Sequence, residues 1–147
     1  ERDLVIQAFE GLGWQQYFHH IRIGPGKAVG FGMLDKKPVF ILPGGPPSNL
    51  VGFLEIALPG LLTLAGHAMY GLPGIHARLA ADLEGRERDW TRVFFGRLTE
   101  EDGLPVFHPL HGSSRLRDMA EAEAIVCIPE GEECLLKGSV ITVQVLK

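Results

Sequence analysis

The chain has 147 residues and a formal net charge of −4, with 46% hydrophobic and 22% charged residues. That apolar share excludes a disordered tail, and the acidic balance argues against a broad nucleic-acid-binding face while leaving a local site for a small anion open. No apolar run reaches the roughly 18 residues of a membrane span, because the longest, Leu50 to Ala65, is interrupted by Gly52, Glu55, Pro59 and Gly60.

Charge divides the chain. Residues 1–70 carry 10 charged residues, 5 basic and 5 acidic. Residues 71–147 carry 22, 9 basic and 13 acidic, so the whole negative excess lies there. Between the halves, Gly66, Gly71, Pro73 and Gly74 stop any helix and read as a linker. The opening at Glu1, just ahead of a helical pattern, reads as part of a longer protein.

In the first half, Asp3 stands as an N-cap before Leu4, Val5, Ala8, Phe9 and Leu12 at helical spacing, and Gly11 and Gly13 end the run. Trp14 to Ile23 predicts a strand, broken by Gly24-Pro25-Gly26. Ala28 to Leu34 predicts a second strand, and Asp35-Lys36-Lys37 a turn. Pro38 to Leu42 is a short apolar strand of the kind buried on both faces. A long helix is expected from about Ser48 to Ala65. Helix, three strands and helix make an α/β arrangement.

The second half alternates. Strands are predicted over 75–83, 90–98, 105–109, 124–128 and 139–146, with one short helix over 114–122. Short strands at this spacing predict a small β-barrel or sandwich.

Two turns in the first half point to anion chemistry. Ile41-Leu42-Pro43-Gly44-Gly45-Pro46-Pro47-Ser48 runs from a strand into a helix opened by Ser48 or Asn49. Unpaired N–H groups and the peptide dipoles gather positive charge at such a helix start. Glycine lets a ligand approach the backbone, and proline stiffens the loop. Ile23-Gly24-Pro25-Gly26-Lys27 sets an ammonium on a second bare turn, with Arg22 nearby. A third stretch, His111-Gly112-Ser113-Ser114-Arg115, offers two hydroxyls and a guanidinium at the start of the short helix. Asp3 is either a plain cap or a ligand for a metal ion such as Mg²⁺.

Other polar residues carry less. His19 and His20 are adjacent on a predicted strand and face opposite sides, so they do not chelate one metal. His108 and His111 have no third ligand nearby. Cys127 and Cys134 read as reduced thiols, although a bridge across the intervening turn is open.

The order of these stretches resembles a known family. Pro25-Gly26-Lys27-Ala28-Val29-Gly30-Phe31-Gly32 is followed by Leu42-Pro43-Gly44-Gly45-Pro46-Pro47-Ser48 at the head of a long helix. Then come His111-Gly112-Ser113-Ser114-Arg115-Leu116 and Glu123-Ala124-Ile125-Val126-Cys127-Ile128-Pro129-Glu130-Gly131. Over essentially its whole length, the chain is similar to the C-terminal part of the molybdopterin molybdenumtransferase family, which includes the gephyrin E domain.

The resemblance implies a partial α/β molybdopterin-binding domain over 1–70, followed by a small all-β barrel domain over 71–147. It implies insertion of molybdenum from molybdate into adenylylated molybdopterin, with release of AMP, in a cytoplasmic homodimer using Mg²⁺. The partner is then a small-molecule pterin, with no nucleic acid and no membrane. Carried over by motif, Asp3 and Lys27 become the catalytic candidates, and Asp3 the metal ligand. Gly26, Pro43, Gly44, Pro46, Ser48 and Ser113 become substrate-binding candidates.

The chain also departs from the family pattern. Gly24 stands where the family usually has the first lysine of Lys-Pro-Gly-Lys, and another usual lysine falls near His20. Gly45 replaces an asparagine. A common arginine of the C-terminal domain falls near Phe95, with Arg92 and Arg97 close by. These losses leave a second reading open: a non-catalytic module that binds molybdopterin or a partner protein.

Overall fold

The computed structural model describes residues 4–85, 88–111 and 115–147. The first part comprises α1 (Leu4–Gly11), β1 (Gln15–His19), β2 (Ile23–Gly24), β3 (Gly30–Leu34), β4 (Lys37–Ile41), α2 (Pro46–Gly52), a π-helical segment (Phe53–Ala57) and α3 (Leu58–Leu64). The second part comprises β5 (Gly74–Leu79), β6 (Leu83–Glu84), β7 (Thr91–Glu101), β8 (Leu104–Pro109), α4 (Arg115–Glu121), β9 (Ala124–Ile128), β10 (Cys134–Leu135) and β11 (Val140–Val145).

The second part is a closed barrel. Strand order runs β7-β8-β5-β11-β9, and β9 returns to β7. Closure hinges on the length of β7. Its start, Arg92–Gly96, pairs with β9, and its end, Gly96–Glu101, pairs with β8. Inward-facing apolar residues fill the ring, among them Leu79, Leu83, Phe107, Ala124, Val126, Ile128 and Val143. The alternation seen in the sequence is therefore the in-and-out alternation of a barrel wall.

The first part is smaller than the α/β pattern suggested. Its sheet has three antiparallel strands in the order β1-β3-β4, over a core of Ile6, Trp14 and Ile41. The molecule as a whole is mostly β. Two sequence expectations fail here for local reasons. Pro38 to Leu42 was expected to be buried on both faces, yet β4 is an edge strand and half exposed. Pro38 has no N–H to donate, which suits an edge. The strand expected over Trp14 to Ile23 is cut at His20, whose φ of 70° turns the chain. The His19 and His20 rings consequently lie with centroids 4.0 Å apart instead of on opposite faces.

That turn frees β2 to leave the small sheet and join the barrel. It runs parallel to β7, with Ile23 opposite Thr91 and Gly24 opposite Arg92. A second apolar cluster forms around this seam: Ile23, Val51 and Leu54 pack with Val93, Phe95, Ala122 and Ile125. An Arg22–Glu130 ion pair at 2.6 Å adds an exposed tie. The two parts thus share a core.

The long helix, Pro46–Leu64, spans 19 residues at a mean hydropathy of 1.3, enough by length and composition to cross a membrane. This corrects the count of uninterrupted apolar residues, because a helix continues through Gly52 and Pro59. Its buried positions Val51, Leu54 and Ala57 are core residues, and Val51 and Leu54 pack in the barrel seam. In its π-helical turn, Glu55 lies among apolar groups. Burial raises its carboxyl above the usual range, and a hydrogen bond with Gln144 partly opposes this. Burial, with Glu55 nearby, also pushes the Cys127 thiol up to about 12. Cys127 and Cys134 are both free.

Two measurements follow from this packing. Phe107 is fully buried at the barrel centre, so Phe107→Ala is expected to lower unfolding free energy by about 3–5 kcal/mol in urea titration. Glu55 binds its proton more tightly folded than unfolded. Its contribution to stability is therefore largest below the unfolded carboxylate pKa and is lost as pH rises through the folded value. Glu55→Gln keeps the shape and removes the charge. Its urea midpoint is expected above wild type at pH 7.5, with the gap closing toward pH 4.

A cationic cleft as candidate functional site

The seam between the two parts holds a hollow of about 390 Å³. One wall is the turn after β2, with Gly24, Pro25, Gly26 and Lys27. A second wall is the entry to α2, with Pro43 and Ser48. The third comes from the barrel, with Trp90 and Arg92 at the head of β7 and Arg115 at the head of α4. The two proline-rich turns picked out in the sequence therefore open on one shared space.

Local geometry explains why these residues meet. Gly26 has φ +123°, and a Cβ there would sit 3.1 Å from the Ile23 side chain and 3.4 Å from Val51. Only glycine lets the turn lie against the helix in that conformation. The Thr91 amide donates to the Arg22 carbonyl at 3.0 Å, which fixes the register of the seam. Trp90 and Arg92 are two apart, so they project to the same side, while Val93 and Phe95 are buried in the core.

The α2 entry differs in detail from the expectation. The helix opens with Gly45 as N-cap and Pro46 in its first turn, not at Ser48 or Asn49. Proline suits that position, having no N–H to leave unpaired. For the same reason Pro46 and Pro47 contribute no amide donors to an anion. Asn49 instead clips the loop, its Nδ2 donating to the Pro43 carbonyl at 3.0 Å. Gly44 and Pro46 are exposed and do not line the hollow, whereas Gly26, Lys27, Pro43 and Ser48 do. Asp3 and Ser113 lie outside the described residues.

Charge marks the hollow most clearly. Arg22, Arg78, Arg88, Arg97 and Arg117 each pair with a carboxylate. Among the described residues, the two arginines without such a pair, Arg92 and Arg115, both face this space. The Nε of Arg92 is buried without a hydrogen-bond partner. Lys27 completes the set, its Nζ 5.5 Å from the Trp90 ring centroid in a cation–π contact. Among the described residues, no carboxylate lines the hollow. Three clustered cations without a counter-charge repel one another and are relieved by a bound anion.

An adjoining cleft of about 600 Å³ shares Gly24, Pro25, Arg92 and Arg115 and is lined as well by Asp82, Glu84 and Asp118. Among the described residues, no group of His, Cys, Asp and Glu is placed to hold a metal ion.

The sequence reading missed Trp90 and underrated Arg92. Arg22, next to the Lys27 turn in sequence, is held by Glu130. Arg97, the other candidate near Phe95, is paired with Glu121. A cation spaced two residues from an aromatic at the head of a predicted strand was the available signal. Arg92 also explains the absence of a side chain at Gly24. A Cβ there would lie 2.9 Å from the Arg92 guanidinium, so the arginine stands beside the place from which a lysine would project.

Fold and cleft together define a small β-barrel joined to a helix-and-sheet base, with a cluster of cations in the seam. Comparison with known proteins gives the family. Residues 76–146 match the family model for the MoeA C-terminal region (domain IV). A Methanocaldococcus jannaschii protein named for molybdopterin biosynthesis is 29% identical over 147 residues, covering 100% of this chain and 34% of its own. Molybdopterin molybdenumtransferases of Nostoc sp. and Synechococcus elongatus are 28% and 29% identical, over 96% and 98% of this chain and 34% and 35% of theirs. The crystal structure of a molybdopterin biosynthesis MoeA protein from Pyrococcus horikoshii superposes with a TM-score of 0.79 at 31% identity, covering 99% of this chain and 35% of that one. Residues 76–146 thus carry the MoeA C-terminal region, and over its whole length the chain is similar to MoeA, or molybdopterin molybdenumtransferase, proteins, spanning about a third of the length of the curated relatives it matches.

The proximity of Gly24 and Arg92 predicts a double-mutant result. Gly24→Lys alone displaces the guanidinium and is expected to change inorganic phosphate affinity by less than about 2-fold. In an Arg92→Ala background the same lysine is expected to recover about tenfold, one charge-assisted anchor's worth, by calorimetry.

Proposed function

We propose that this chain is the molybdopterin-handling portion of an enzyme that inserts molybdenum from molybdate into adenylylated molybdopterin and releases AMP. The observation that carries the reading is the set of cations, Lys27, Arg92 and Arg115, that line one hollow between the two parts with no carboxylate partner among the described residues. The names of the relatives support the choice of substrate.

In this reading residues 1–70 are the end of a molybdopterin-binding α/β domain, and 71–147 form the barrel domain. Arg92, Arg115 and Lys27 hold the phosphates of the substrate and the oxyanion of molybdate. They neutralise charge that otherwise keeps two anions apart, and they fix the reacting groups in place. Gly26, Pro43 and Ser48 shape the wall. The chain supplies positioning and electrostatics and uses no covalent protein nucleophile. Cys127, held protonated by burial, is unsuited to such a role. Asp3 and Ser113 remain candidates to complete the site. No step here runs through magnesium. A cytoplasmic homodimer belongs to the same reading. It is supported by exposed Leu61 and Leu64 on the long helix, apolar side chains that a second copy would cover.

The test is AMP release from adenylylated molybdopterin in the presence of molybdate, using this chain joined to the upstream regions its relatives carry. Arg92→Ala is expected to lower kcat/KM by about 10- to 150-fold, the loss of one charge-assisted contact of about 1.5–3 kcal/mol. A folded protein that binds the substrate tightly yet releases no AMP would establish the binding-module reading instead.

A further inference from the structure

We propose that Trp90 is the stacking platform for the planar ring of a phosphorylated heterocycle whose phosphate is held by Arg92, Arg115 and Lys27. The inference rests on the anion reading of the hollow given above and adds the residue that selects what the anion is attached to.

Three observations carry it. Trp90 lines the same 390 Å³ hollow as the three cations. It stands just ahead of β7, two residues before Arg92, and the strand that follows it is anchored at its first residues by the seam, with Ile23 opposite Thr91 and Gly24 opposite Arg92. The indole is only half buried, and the Lys27 ammonium lies over it, 5.5 Å from the ring centroid. A half-buried indole with a face toward a ligand-sized space is the geometry for ring stacking. Lys27 covers that face through a contact that is weak at an exposed site. An anion seated near Arg92 draws the ammonium away and leaves the indole face to the ring. Phosphate and ring are then read by Arg92 at the head of β7 and by Trp90 just before it, so the site prefers a phosphate attached to an aromatic heterocycle over a bare one.

The experiment titrates the whole chain with inorganic phosphate and with AMP, following tryptophan emission and calorimetry together. AMP is expected to bind about tenfold tighter than phosphate, on the order of one stacked ring, and to quench emission. The second tryptophan, Trp14, is buried in the small-sheet core, so Trp90→Phe is expected to keep the preference and lose the quench. Trp90→Ala is expected to lose the preference. Phosphate binding with AMP no tighter, or a tenfold preference that survives in Trp90→Ala, overturns the stacking role and leaves the anion site standing. A folded chain that binds neither probe overturns both.

Discussion

The parallel pairing of β2 with β7 is the constraint on which the rest depends. It is only two residues long, Ile23 with Thr91 and Gly24 with Arg92. Such a short ladder is weak by itself. It persists because Ile23 on one strand and Val93 on the other are buried in a common cluster with Val51, Leu54, Phe95 and Ile125. Burying those side chains contributes roughly 1.5–3 kcal/mol apiece, well above what two strand hydrogen bonds supply. Apolar burial thus holds the seam, and the hydrogen bonds set its register.

From that register the electrostatics follow. The turn carrying Lys27 and the strand carrying Trp90 and Arg92 are brought to one hollow, and α4 delivers Arg115 to its rim. Elsewhere on the described surface arginines are matched with carboxylates, some in networks such as Arg97 and Arg117 on Glu121. The contrast has a physical meaning. A surface pair adds little to stability, but an unmatched group of like charges is a standing repulsion that a ligand removes.

The barrel and the small sheet contribute differently. The barrel closes on itself through the long β7 strand and forms a complete core. The small sheet keeps an open edge at β4 and leaves Leu4, Leu12 and Tyr17 largely exposed. The barrel is the rigid support, and the hollow is built on its side. The long helix, with its π-helical turn around Glu55, lies between the two and presses its apolar stripe into the seam.

Much of this was legible in the residues. Alternation located every long barrel strand, and glycine and proline located the turns. The motifs beginning at Pro25 and Leu42 marked both walls contributed by the first part. Those signals are local: period, turn chemistry and residue type act over a few positions, so the amino-acid order by itself determined them. It could not tell that His20 would turn the chain and send β2 to the barrel, since that conformation is sustained by contacts far away in sequence. Nor could it tell which arginine stays free, because pairing depends on which carboxylate arrives within 4 Å. Tertiary structure alone decided that Arg22 goes to Glu130 and Arg97 to Glu121. It left Arg92 to the hollow, since charge selection is a property of distances that only folding creates.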